Sequence, residues 1–287
     1  MGRDDATGAG AESTDSAAPE IALSGTQPPP ADSQGHGFRD VFAASANVVG
    51  GIERGLLAGA AFARDAERDL LPAWLRPGRG EHRWQMGLAV LTAIGLQLSL
   101  PANLAIRPRL VLPILEGVLL IALMSASPGR ITRRSAAIHT TALALLGLVS
   151  LDNTVSAALL VHLIIAGHAG DAAALLGHGA AIWATNVIVF ALWYWEFDRG
   201  GPVARAYADR RYPDLLFPQM AQADLASPDW TPNFFDYLYT SFTNATAFSP
   251  TDTLPLSRWC KALFLAQSAV SLITVALVIS RAVNIFK

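Results

Sequence analysis

The chain has 287 residues, of which 52% are hydrophobic and 15% charged, with a net charge of −2. A soluble domain carries about 25% charged residues, so this composition argues against a soluble globule, and the charge balance excludes the basic footprint of a nucleic-acid binder. One cysteine, Cys260, excludes an internal disulfide framework and a thiolate metal cluster. The remaining class is an all-α, polytopic transmembrane helix bundle whose partner is membrane lipid.

Residues 1–36 are rich in Gly, Ala, Ser, Pro and Asp, and Pro28, Pro29 and Pro30 stand in a row. Seven acidic residues face two basic ones between Met1 and Asp40. Such a segment buries too little apolar surface to offset its ordering entropy, so it reads as a disordered tail. It lacks the basic start and apolar core of a secretory signal. Residues 37–83 read as a cytoplasmic amphipathic helix and linker. Val41, Ala44, Val48, Ile52, Leu56 and Ala60 recur at three- and four-residue spacing. Glu53 and Arg54 interrupt the stripe, which fits an interfacial or packing helix rather than a span.

Residues 84–197 read as a four-span membrane bundle, judged against the roughly 20 apolar residues that cross a 30 Å core. The spans are Trp84–Leu100, Leu110–Ala126, Ala136–Ala166 and Gly179–Phe197. The third, about 31 residues, makes a helix of roughly 46 Å. It must tilt, project from the bilayer or break near Asp152 and Asn153. A connecting loop follows over residues 198–232, and a fifth strong span covers Arg258–Phe286.

Basic residues cluster before the first span (Arg76, Arg79, Arg83), between the second and third (Arg130, Arg133, Arg134) and after the fourth (Arg199, Arg205, Arg210, Arg211). The loop Gly167–His178 has none. This places the N-terminus in the cytoplasm, with Arg107 and Arg109 as exceptions. Trp193, Tyr194 and Trp195 then form an aromatic belt at the cytoplasmic end of the fourth span.

The stretch 233–287 holds a pore-like segment and the last span. Asn233–Pro255 reads NFFDYLYTSFTNATAFSPTDTLP, moderately apolar and dense in hydroxyls. It is either a polar sixth crossing or a short helix that enters the membrane and returns as a loop shielded from lipid. Six crossings agree better with the basic residues Arg281 and Lys287 at the C-terminus.

Tyr239, Ser241, Phe242, Thr243, Thr246, Asp252 and Pro255 fall, without gaps, where similar residues stand in the pore helix and filter of potassium-channel pore domains. The segment therefore resembles that family, and the following span is similar to its inner helix. The layout also looks like that of an uncharacterised family of bacterial multi-span membrane proteins. The resemblance implies a homotetrameric pore and a bacterial plasma (inner) membrane. It makes Thr243, Thr246, Phe248, Ser249, Pro250, Thr251 and Asp252 the filter-like, pore-lining residues. Where the family has Gly-Tyr-Gly, this chain has Ser249, Pro250 and Thr251. A carbonyl-lined filter uses glycine torsions that Pro250 cannot adopt, so potassium selectivity is not expected. The competing reading makes these hydroxyls packing glue between helices.

Glu116, Asp152, Asn153 and Asn186 lie at membrane depth, where an ionisable residue is a functional candidate. Asp152 can accept ions or protons, bond Asn186 on a neighbour, or meet water at the end of a tilted helix. Glu196, Asp198 and Arg199 read as local salt bridges. His139 and His162 match no metal spacing. No cofactor motif appears, and no nucleophile is paired with a base, so an enzyme is not expected. The leading function is passage of a small ion or solute through a channel-like region. The alternative is a non-conducting membrane scaffold or sensor.

Overall fold

The computed structural model describes residues 49–60, 71–78, 80–126, 129–131, 134–167, 171–222, 224, 226–247 and 252–286. The acidic tail and the filter-like residues Phe248, Ser249, Pro250 and Thr251 lie outside the described residues. The chain divides into two compact units, Met1–Ala63 and Arg64–Lys287. In the first, helix α1 covers residues 49–60, and Val49, Ile52, Leu56 and Leu57 on it are exposed.

The second unit is all-α apart from one two-stranded ribbon among its described residues. Its long helices are α2 (Arg83–Ser99), α3 (Val111–Ala126), α4 (Ala136–Ile165), α5 (Ala172–Phe197) and α9 (Arg258–Phe286). Shorter helices are α6 (Pro202–Ala206), α7 (Pro218–Ala221) and α8 (Phe234–Ala247), and strands β1 (Leu215–Leu216) and β2 (Leu254–Pro255) pair antiparallel. Three helices, α4, α5 with its 3-10 extension to Gly200, and α9, are long and apolar enough to cross a membrane. The other two expected spans are shorter: α2 has 17 residues and α3 has 16. At 1.5 Å per residue they reach about 25 Å.

The helix ends sort into two groups. At one end, Ile131 N–H donates to the Glu81 carbonyl (2.9 Å) and His139 Nδ1 lies 3.1 Å from Glu196 Oε1. There Tyr237 donates to Asp198 (2.8 Å) and Trp259 to Asp214 (2.9 Å). The starts of α2, α4, α8 and α9 thus meet the ends of α3 and α5. At the opposite end Leu100, Leu104, Leu160, Ile164, Leu175 and Val278 form an apolar cluster, and Arg281 donates to the Gly167 carbonyl. The main core, which includes Met86, Val90, Leu145, Leu192, Tyr194, Trp195, Tyr237 and Phe264, sits nearer the first end.

Helix α5 is the hub, packed against α2, α4, α8 and α9. A Cβ added at Gly179 would lie 2.9 Å from Val278, so the missing side chain is what lets α5 and α9 approach. The helix starts seven residues before the expected span Gly179–Phe197, at Ala172. Its true start is fixed by Asp171, whose carboxylate accepts from Ala174 N–H (2.8 Å), a standard N-cap bond.

Helix α8 packs against its neighbours along one face. Its buried residues Phe234, Tyr237, Thr240, Ser241, Asn244 and Ala245 follow a helical period and face α5 and α9. It starts at the charged end and reaches inward as far as Val187 and Trp183, near the middle of α5. The chain then comes back. Thr253 lies beside Thr240 (3.2 Å), and Leu254 pairs with Leu216 next to the end of α5. A helix of 14 residues spans about 21 Å, and its first residue, Phe234, and Leu254 beyond its end both lie at the charged end.

Helix α4 runs unbroken through Asp152 and Asn153. A β-branched or polar pair does not stop a helix whose other residues carry the ladder, so no break occurs there.

Candidate functional site

Three polar arrangements lie inside the second unit. The first binds α8 to its neighbours. Gln267 on α9 is fully buried. Its Nε2 donates to the Ser241 carbonyl (2.9 Å) and to Ser241 Oγ (2.7 Å), while its Oε1 accepts from Tyr194 Oη (2.7 Å) and Asn244 Nδ2 (2.9 Å). Ser241 Oγ in turn donates to the Val187 carbonyl (2.6 Å). Ser268 donates to Asn244 Oδ1 (3.1 Å). Every polar atom of the Gln267 amide is used, which is the condition under which a buried network rigidifies a fold.

The predicted pore-lining residues are placed differently from one another. Thr243 Oγ1 donates to the Thr240 carbonyl (3.0 Å), and Thr246 Oγ1 to the Phe242 carbonyl (2.9 Å) and the Thr243 carbonyl (3.2 Å). Both hydroxyls are thus turned back onto their own helix. Asp252 is exposed beyond the return, and its Oδ1 accepts from Thr253 N–H (3.0 Å). Asn186 donates to Ser271 on α9 (3.1 Å) and not to Asp152.

The second arrangement is the charged end. Arg205 on α6 donates to Glu81 Oε1 (2.7 Å), to the Trp195 carbonyl (2.8 Å) and to the Asp198 carbonyl (2.8 Å). Burial works against its charge, but Glu81, Tyr237 and Asp198 around it leave the guanidinium more firmly protonated than usual. Asp198 accepts from Asp214 N–H (2.9 Å), Leu215 N–H (3.2 Å) and Tyr237 Oη (2.8 Å). Arg199 stacks on Trp74 and donates to the Trp74 and Arg210 carbonyls. Gly201 sits at φ 94°, and a Cβ there would lie 2.6 Å from the Glu196 carbonyl.

This arrangement corrects two sequence expectations. Glu196, Asp198 and Arg199 are buried and do not pair locally; their partners come from elsewhere in the chain. Tyr194 and Trp195 are buried too, so they form no belt. Their polar atoms are spent on Gln267 and Glu81 instead of on an interface. A cleft of about 290 Å³ opens beside this end, lined among others by Arg83, Arg134, His139 and Glu196.

The third arrangement lies among α2, α3 and α4, away from the charged end. Glu116 is fully buried and Asp152 nearly so, and the two carboxyls interact electrostatically. Gln97, two residues before the end of α2, interacts with the Glu116 carboxyl. Asn153 and Ser156 are buried on the same helix as Asp152. Among the described residues Ser156 Oγ has no hydrogen-bond partner. The sequence reading found Glu116, Asp152 and Asn153. It missed Gln97 as a member, although a lone Gln near the end of an apolar run is a visible signal. Among the described residues no group of three or more His, Cys, Asp or Glu is placed to hold a metal ion.

No protein-family model, curated protein or solved structure matches the chain. The likeness to potassium-channel pore domains therefore rests on the residues from Tyr239 onward alone.

Proposed function

We propose that this is a multi-pass membrane protein, with five helices crossing and α8 re-entrant, that passes a small ion or solute without potassium selectivity. The observation that carries the reading is where the described residues of this segment lie. Helix α8 starts at the charged end and is fastened by the Gln267 network, and Thr253 and Leu254 lie at that same end again. Non-helical backbone at membrane depth is tolerated where it is buried in protein or lines water. The positive-inside distribution makes the charged end cytoplasmic, so the return segment opens to the cytoplasm. By its likeness to the pore family, four copies would join around the return segments, in a bacterial inner membrane.

A scaffold or sensor is the second reading. It is favoured by Thr243 and Thr246, whose hydroxyls bond their own helix and leave no free donor aimed outward. Ion flux through the purified protein in liposomes separates the two. The conducting reading expects flux whose rate or selectivity changes in Asp252→Ala and Pro250→Gly. A folded protein that passes no ion under several salts and voltages sinks it.

A further inference from the structure

We propose that the cleft beside the charged end is a binding site for a phosphate-bearing anion, held between Arg83 and the start of α4. The membrane reading of the bundle bears only on the source of that anion, and conduction through α8 does not enter.

Arg83 is the first residue of α2 and is 4% exposed. It lines the cleft, and among the described residues its Nε has no hydrogen-bond partner. Glu196 attracts it electrostatically but gives Nε no acceptor. A buried polar group left this way is destabilising, and native structures keep few of them. The other charges on the cleft are matched. Arg134 Nη2 donates to both Asp209 oxygens (2.7 Å each), and His139 Nδ1 lies 3.1 Å from Glu196 Oε1. Among the described residues that line the cleft, Arg83 is thus the cation left over.

The start of α4 brings a second set of donors to the same cleft, where Ser135, Ala136 and Ile138 form part of the wall. The first intrahelical bond of α4 runs from His139 N–H to the Ser135 carbonyl (3.1 Å). The N–H groups of Ala136, Ala137 and Ile138 precede it and face out of the helix start. Ser135 stands at the N-cap, yet its side chain makes no cap bond. A helix of 30 residues presents the positive end of its dipole there. Free N–H groups beside a guanidinium suit a phosphate, which has an oxygen for each. An apolar ligand would leave Arg83 Nε as it is, and a cation would meet only like charge and carboxylates already paired. Such a phosphate reaches this end either as a lipid headgroup of the cytoplasmic leaflet or as a soluble ion.

The test is isothermal titration of the delipidated full-length protein in a neutral detergent. The probes are dioctanoyl phosphatidylglycerol, dioctanoylglycerol, which lacks the phosphate, and inorganic phosphate. Phosphatidylglycerol should bind saturably and at least about tenfold more tightly than dioctanoylglycerol, a difference worth one hydrogen bond to a charged group. Weaker binding of inorganic phosphate than of the phospholipid makes a headgroup the occupant; equal binding makes it the soluble ion, and either result keeps the site. Arg83→Gln should weaken binding by about tenfold or more. Ser135→Asp sets a carboxylate in the place of the anion while keeping a good cap. It should weaken binding by a similar factor without lowering the melting temperature, and it decides the matter should Arg83→Gln fail to fold. Binding of no probe overturns the proposal. So does phosphatidylglycerol binding that Ser135→Asp leaves unchanged, which would mark lipid on the outer surface of the bundle and only water in the cleft. Binding is read without an ion gradient, so a protein that binds the phosphate yet shows no flux loses the conduction reading and keeps this site.

Discussion

Arg205 holds the charged end together through three acceptors on two different segments, and all three are lost at once if its fork is removed. Arg205→Met should destabilise the protein by about 3–5 kcal/mol, the usual result of stripping one partner from a buried pair. Arg205→Lys keeps the charge but cannot reach Glu81 and two carbonyls together, so it should recover only part of that loss. Unfolding in a denaturing detergent titration checks both, and equal stability of the Lys variant and wild type would refute the role of the fork. These residues were visible in the sequence as charges near the end of a span. Their partners were not. Arg205 bonds Glu81 across 124 positions and Arg199 bonds Trp74 across 125, and no local spacing encodes a contact of that separation. The opposite holds for Glu116 and Asp152, which stood out because an acid inside an apolar run needs no partner to be noticed.

Helix α8 is held by apolar packing of Phe234 and Tyr237 and by polar bonds that converge on Gln267. Gln267→Leu should cost about 1–3 kcal/mol by taking the acceptor from buried Tyr194 Oη and one partner each from Asn244 and Ser241. The loss should be local. Amide exchange should speed up over residues 234–247 and leave α2, α3 and α4 unchanged; uniform acceleration would mean that α8 is not a separate unit. The sequence left this hydroxyl-rich segment open between a sixth crossing and a short re-entrant helix, with the crossing in better accord with the basic residues. The placement of Thr253 beside Thr240 was not readable, because it rests on a ribbon of two residues per strand. A ribbon so short leaves no alternating pattern to read. The start of α5 was also missed, since Ala172, Ala173 and Ala174 carry little hydropathy, yet Asp171 before them was a readable cap.

The second unit gathers most of its basic residues at one end, as their spacing along the sequence implied. On the proposed five crossings, the end of α9 lies opposite to Asp252. Cysteines placed singly at exposed Thr231, Asp252 and Asn103 test this in intact cells. Native Cys260 is fully buried and should stay silent. Thr231→Cys and Asp252→Cys should resist an impermeant thiol reagent together, and Asn103→Cys should react. Labelling of Asp252→Cys from the outside, with Thr231→Cys protected, would restore a sixth crossing. The hydropathy pattern was enough for the bundle, since an apolar run needs only length to declare itself. It could not distinguish in-and-back from through, because both use the same composition.

The bond between Glu81 and Arg205 has a consequence for how the chain is made. Glu81 precedes the first long helix of the bundle, and its partner follows 124 positions later. At the ordinary pace of protein synthesis that interval lasts roughly 6 to 25 s. During it, helices α2 to α5 leave the ribosome while the carboxylate has no guanidinium to meet. The seal at the charged end therefore closes late in synthesis, after the helices it locks have been made.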